Sequence, residues 1–171
     1  MLEEYVQNLI ALYQKDLEDY QELLQKMQAY HNFLNSTGDT EEDRDIFQQK
    51  LEQFAAYRGQ IFENLQQRAK QAKELEAEIS AQLAQLGTSL EIRTLETHLP
   101  ATLYSELLNL AELLRQQMAA VLALDEKIIP LLNQELNVIK AELHRLQGSK
   151  KTKNVYEQTG QREARFIDKI K

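Results

Sequence analysis

The longest apolar pattern in the chain lies between residues 100 and 147, where apolar side chains recur at steps of three or four. This spacing places them on one face of a helix. Further apolar residues lie off that face, at Leu108, Leu113, Leu122, Ile129, Leu131 and Val138. A helix that packs on one side does not need them. The pattern therefore predicts a long helix that either has neighbours on two sides or keeps an apolar surface for another helix.

Two long helices are predicted before this stretch. The first covers about residues 2–35, and the second runs from about residue 40 to Leu86, where Gly87 provides a residue that readily ends a helix. The turn between them is short, so we expect them to lie antiparallel. Because the second helix is longer than the first, another element must cover its far end.

The start of the second helix is predicted from a capping pattern. Either Asp39 with Glu42 or Thr40 with Asp43 places a hydrogen-bond acceptor before the helix and an acid three residues later. Both alternatives put acidic charge at the positive end of the helix.

The two prolines have different predicted roles. Residues 88–100 form a crossover with one or two helical turns near residues 94–99, and Pro100 stands where the long last helix begins. Pro130 lies inside that helix, where it removes a hydrogen bond, so we expect a kink over residues 126–130. Gly148 to Asn154 has the composition of a loop, and residues 155–160 suggest a short extended or turn segment.

Taken together, these elements predict an all-α fold. We expect an elongated antiparallel bundle of three long helices with a short crossover helix over residues 1–147, followed by a basic tail, 148–171, with a short amphipathic segment. Glycine and proline number only five and two in 171 residues, too few for the turns of an all-β chain.

The charge and composition exclude several functions. The formal net charge is −7, which does not favour nucleic acid as the main partner. Residues 148–171 hold seven Lys and Arg against three Asp and Glu, a balance of +4, which leaves −11 for residues 1–147. The chain has no cysteine, which fits a reducing compartment. It contains no apolar run long enough for membrane insertion and no secretory signal pattern at MLEEY.

No catalytic constellation is evident. His31, His98 and His144 lie in separate segments and lack the Glu-x-x-His spacing of metal-binding bundles. Phosphate-binding and nucleophile motifs rich in glycine are absent from the sequence. We therefore expect a protein that is not an enzyme and needs no cofactor. Most aromatic residues fall at helix-seam positions and are interpreted as core.

The sharpest candidate site is the broad apolar face of residues 121–143, together with large apolar residues in the tail. One interpretation is structural, in which the face completes a core or a dimer contact. The other is functional, in which it binds an amphipathic helix of another protein. The predicted contact residues are Val121, Leu122, Leu124, Ile128, Ile129, Leu131, Leu132, Leu136, Ile139, Leu143, Tyr156, Phe166, Ile167 and Ile170.

The order of these elements resembles that of the FlgN-type flagellar export chaperones. The resemblance covers nearly the whole chain and is mostly architectural. Its most specific parts are Leu99-Pro100 before the last helix, residues 124–127 and 132–136 within it, the Tyr…Gly segment of residues 154–160, and the apolar, basic stretch of residues 166–171.

This resemblance implies a cytoplasmic, non-enzymatic chaperone. Members of the family hold the C-terminal amphipathic helices of hook–filament junction proteins before export and deliver them to the type III export apparatus. The implied partners are therefore those proteins and the export apparatus, with no nucleic acid and no membrane insertion, and with a homodimer also considered. The alternative is a structural coiled-coil or BAR-like dimeric scaffold.

Overall fold

The protein is all-helical over the residues that its computed structural model describes, which are 1–36, 38 and 40–167, with side chains described up to residue 153. Its four helices are α1 (Leu2–Ser36), α2 (Glu41–Gln85), α3 (Ile92–His98) and α4 (Ala101–Ile167). The described residues contain no strand. The all-α prediction is confirmed, as are the ends of α1 and α2 to within about one residue.

The start and end of α2 follow from its capping residues. Thr40 caps the helix, because its side chain accepts a hydrogen bond from the Asp43 N–H at 3.1 Å while Asp43 accepts one from the Thr40 N–H at 3.2 Å. The predicted pair of Thr40 and Asp43 is therefore confirmed, and Asp39 of the other predicted pair lies outside the described residues. At the other end Gly87 has a φ of 76°, a value that only glycine adopts readily.

The connection after α2 is a Schellman turn. The Thr88 N–H donates to the Leu83 carbonyl at 3.0 Å, and the Gly87 N–H donates to the Ala84 carbonyl at 3.0 Å. These bonds satisfy carbonyls that the end of the helix leaves without partners. The predicted crossover helix is present as α3, which begins at Ile92, two residues earlier than expected.

As the residue number rises along α1, the residue number of its contact on α2 falls. Near the start of α1, the Tyr13 hydroxyl donates to Glu76 Oε1 at 3.2 Å. Near its end, the rings of Tyr30 and Phe54 stack with their centroids 4.3 Å apart. Along α1, Leu23 and Tyr30 are buried, whereas their neighbours Leu24 and His31 are half-buried.

One cluster of the core takes residues from all four helices. It joins Val6, Leu9 and Ile10 of α1, Ala72, Ile79 and Leu83 of α2, Leu95 of α3 with the adjacent Leu99, and Leu107 and Leu110 of α4. Ile79 and Leu83 are at most 2% exposed although they belong to the part of α2 expected to lack cover. The crossover helix supplies part of that cover through Leu95.

The core extends through the rest of residues 1–128. Leu23 and Met27 of α1 are fully buried, and Ile61 of α2 is 5% exposed. On α4, Val121, Leu124 and Ile128 are buried as well. Burial of an isoleucine or leucine side chain stabilises a fold by about 1.5–3 kcal/mol relative to its exposure. These side chains therefore tie the first part of α4 to α1 and α2.

The course of α4 differs from the prediction after residue 147. The helix continues through Gly148, where we expected a loop, to Ile167, and the segment expected to be extended or a turn at residues 155–160 is also helical, so both expectations were wrong. The helix also runs without interruption through Pro130, where the expected kink stays a prediction. Gly148 costs the helix only about 1 kcal/mol, and the surrounding Lys, Glu, Gln and Arg favour helix. Compact packing nevertheless divides the chain between Ile128 and Ile129.

Candidate partner-binding surface

The predicted contact residues on α4 fall into three groups by exposure. Val121, Leu124 and Ile128 are buried at 4%, 6% and 1% exposure, so they belong to the core and do not offer a surface to a partner. The periodicity that predicted them as contact residues is the same periodicity that builds the core. These three residues therefore belong to the core and not to the exposed surface on which we expected them.

The second group is exposed. Leu122, Ile129 and Leu143 are 65%, 52% and 52% exposed, and Leu136 is 37% exposed. Ile129, Leu136 and Leu143 succeed one another at intervals of seven along α4, which places these three close to one line on the helix, whereas Leu122 belongs to the unit of residues 1–128. Val138 and Leu146, at 48% and 50%, are exposed as well. Apolar side chains at regular spacing without cover are typical of a surface that binds another helix.

The third group is half-buried and comprises Leu131, Leu132 and Ile139. The predicted tail contacts Tyr156, Phe166 and Ile167 lie in the helical backbone of α4, and nothing is described of their side chains. Ile170 lies outside the described residues.

A charged residue of α4, Asp125, lies on the side of the helix that contacts α2. Asp125 accepts two hydrogen bonds from the Arg58 guanidinium, at 2.5 and 2.6 Å, in a bidentate ion pair between α4 and α2. The Asp125 side chain is 14% exposed. The pair attaches α4 to α2 close to the last buried position, Ile128, and Arg58 also lies over the Phe62 ring at 5.1 Å.

A second ion pair, between α1 and α2, was not predicted from the sequence. Arg68 of α2 bonds to Asp16 at 2.5 Å and also to Asp19, and its side chain is only 16% exposed. Burial raises the pKa of Asp16, and the guanidinium opposes that rise. The sequence signal for this pair is a pair of acids three residues apart on one face of α1, which is too common to point to a partner.

An open groove of about 340 Å³ lies between α1 and α2, and four of its lining residues are aromatic. Its floor includes the stacked rings of Tyr30 and Phe54, and Lys26 lies over the Tyr57 ring at 5.6 Å. The Tyr30 hydroxyl is buried and has no hydrogen-bond partner among the described residues. Burial raises the pKa of Tyr30 to about 12. Tyr30 is therefore part of the core, as expected for aromatic residues at seam positions, while Phe54 and Tyr57 are half-buried.

The described residues bring together no group of three or more histidine, aspartate or glutamate side chains that could hold a metal ion. His31 shares a contact with Asn35 at 3.3 Å within α1. Among the helices of the described part of the chain, none is long and apolar enough to cross a membrane.

The fold and surface define an all-α protein with an uncovered apolar line on its last helix. Comparison with known proteins adds no relative to this description, since no family model, no curated protein and no solved structure matches the chain.

Proposed function

We propose that this protein binds an amphipathic helix of another protein along α4, as a cytoplasmic, non-enzymatic chaperone of flagellar type III export. Its clients are the C-terminal helices of hook–filament junction proteins, which it keeps from assembling early and delivers to the export apparatus. The observation that carries the proposal is the exposure of Ile129, Leu136 and Leu143, at 52%, 37% and 52%, in a regular line on one helix.

The physical reason for such a chaperone lies in the client. An amphipathic helix that has not yet met its assembly partner exposes an apolar stripe and is prone to aggregate. A second helix with apolar residues at matching intervals covers this stripe by helix-in-groove packing. The exposed positions on α4 supply those intervals, while the polar residues between them keep the surface hydrated when no client is bound.

The proposal includes an antiparallel arrangement of α1, α2 and α4 as the support for this face. The order of the contacts between α1 and α2 supports it. The same order supports the arrangement for α4. Leu107 shares a core cluster with Leu83, and the later residue Asp125 pairs with the earlier residue Arg58 of α2.

Calorimetry with a synthetic peptide tests the proposal. The peptide carries the C-terminal helix of a hook–filament junction protein encoded in the same genome as this chain. We expect wild-type protein to bind, and Leu136→Asp or Leu143→Asp to weaken binding by about tenfold or more, since each buries a charge in an apolar contact. Asn137→Asp adds the same charge at an exposed polar position and is the matched control.

Two outcomes would contradict the proposal. One is a lack of heat of binding for the wild-type protein at about 100 μM peptide, a concentration that detects all but very weak complexes. The other is equal binding by Leu136→Asp, Leu143→Asp and Asn137→Asp, which would place the contact elsewhere. Circular dichroism of each variant checks that its helix content is unchanged. Binding to anionic vesicles in place of the peptide would favour the scaffold alternative.

A further inference from the structure

Residues 129–146 of α4 follow a strict heptad repeat. Ile129, Leu136 and Leu143 occupy the first apolar position of successive heptads, and Leu132, Ile139 and Leu146 occupy the second, so the steps alternate between three and four without a break. A strict average of 3.5 residues favours a two-stranded coiled coil, because it keeps one seam facing one partner helix.

This seam, defined as those six residues, has apolar area still to bury. The three residues at the first position are 52%, 37% and 52% exposed, and Leu146 is 50% exposed. Leu132 and Ile139 are half-buried. The repeat ends where lysine takes both seam positions of the next heptad, at Lys150 and Lys153. The apolar seam is therefore about 27 Å long at 1.5 Å per residue.

The charges beside the seam favour one particular partner. Glu135 and Lys140 occupy the two flanking positions that face each other across a parallel, in-register coiled coil, where a residue on one chain meets the residue five positions later on the other. In a pair of identical chains, Glu135 of each copy meets Lys140 of the other, which gives two opposite-charge contacts.

The antiparallel alternative brings like charges together. With the same six seam residues paired antiparallel, Glu135 of each copy would face Glu142 of the other, and Lys140 would face the neutral Asn133. The two Glu135–Glu142 contacts are repulsive. The flanking charges thus distinguish the two orientations, and they do so only if the partner carries the same sequence.

We propose that the occupant of the seam is a second copy of this chain, paired parallel and in register over residues 129–146. The pairing does not depend on the proposed function. One consequence does rest on the proposed function. A client helix and the second copy need the same side chains, so they compete. The free protein would cover its own apolar surface by pairing until a client displaces the second copy.

Single cysteines test the orientation, since the chain has none of its own. In the parallel pair, Leu146→Cys forms a disulfide with itself, as does Ile129→Cys, and a mixture of the two gives no mixed disulfide. The two sites are about 25 Å apart along a helix, whereas a disulfide needs Cα atoms within about 7 Å. Asn137→Cys is exposed and lies off the seam, so this control should form no disulfide in the same redox buffer.

Charge reversal tests the register. Glu135→Lys and Lys140→Glu, each alone, replace two attractive contacts with two repulsive ones, and we expect each to raise the dimer dissociation constant by about tenfold. A one-to-one mixture of the two variants restores association as a heterodimer, and the double variant restores it as a homodimer. Sedimentation equilibrium across a concentration series measures all four samples.

Several results would overturn the inference. These are a wild-type protein that stays monomeric throughout the series, a mixed disulfide in preference to the self-disulfides, or tighter association of Glu135→Lys, which the antiparallel pair predicts. Adding the junction-protein peptide to Leu146→Cys separates the inference from the proposed function. A disulfide that forms but is unaffected by the peptide supports the pairing and contradicts the competition. Peptide binding by a strictly monomeric protein supports the proposed function and contradicts the pairing.

Discussion

Two adjacent isoleucines divide α4 into regions with different surroundings. Ile128 is 1% exposed and closes the core of residues 1–128, while Ile129, the next residue, is 52% exposed. Before this point the apolar periodicity of α4 is matched by apolar faces on α1 and α2. After it, apolar residues continue at the same spacing, but none of those whose side chains are described, up to residue 153, is buried. Frequency of apolar residues therefore predicts a helix face, and only the neighbours decide whether that face is core or binding surface.

The largest effect is expected from substituting the two isoleucines one at a time. Ile128→Ala should lower the free energy of unfolding by about 3 kcal/mol, because it leaves a cavity in the core. Ile129→Ala should change it by less than about 0.5 kcal/mol, as is usual at the surface. Both variants gain the same helix propensity, so the difference reports burial alone. Six of the seven tyrosines lie in residues 1–128, so tyrosine fluorescence during urea unfolding follows this region. Equal losses of unfolding free energy in the two variants would contradict the assignment of Ile128 to the core and Ile129 to the surface.

The ion pair of Arg68 should have the next largest effect. Arg68→Met leaves Asp16 and Asp19 half-buried without a cation, and we expect a loss of about 2 kcal/mol near neutral pH. Arg115→Met removes an exposed ion pair with Glu112, where we expect no measurable change, and is the control. A loss as large in the control would show that charge alone, and not burial, explains the effect.

The same variant has a predicted pH dependence. Burial raises the pKa of Asp16 in the fold above its ordinary 3.8, so folding favours the protonated carboxyl. That contribution is fully present below pH 3.8 and is lost as the pH rises through the folded pKa. Without Arg68 the pKa rises further, so the stability deficit of Arg68→Met should shrink as the pH falls towards 4. Urea unfolding at a series of pH values measures this, and a constant deficit would contradict it.

A smaller effect of opposite sign is expected in the aromatic groove. Tyr30→Phe removes a buried hydroxyl that has no partner among the described residues, so it should stabilise the fold by about 1 kcal/mol. The raised pKa of Tyr30, about 12 against 10.0, means that wild-type protein loses stability as the pH rises from 10.0 to 12. The variant should lose less over that range, which thermal unfolding at alkaline pH measures. A destabilised variant would show that the hydroxyl has a partner.

The sequence predicted most of the fold but only part of the surface. Local signals were sufficient for Thr40 with Asp43 and for Gly87, because caps and turns depend on a few adjacent residues. Leu122, Ile129 and Val138 lie off the main apolar face in the sequence pattern and are exposed, but Leu136 and Leu143 lie on that face and are exposed too. The burial of Val121 and the ion pair of Arg68 depend on residues far away in the chain, and no local pattern carries that information. Tertiary packing, not propensity, decided these.

The smallest effect is expected at Gly148, for which Gly87 is the counterpart within residues 1–128. Gly148 lies inside α4, and no neighbouring atom lies within 4 Å of the place that a Cβ would take, so Gly148→Ala should stabilise the local helix by about 0.5–1 kcal/mol. Gly87→Ala should do the opposite, since its φ of 76° strains any side chain. Hydrogen exchange of amides near residue 148 should slow in the first variant, with the unfolding midpoint of residues 1–128 unchanged. Loss of helix content on Gly148→Ala would show that the residue is needed as a loop, as its sequence neighbourhood first suggested, and would end the heptad region with it.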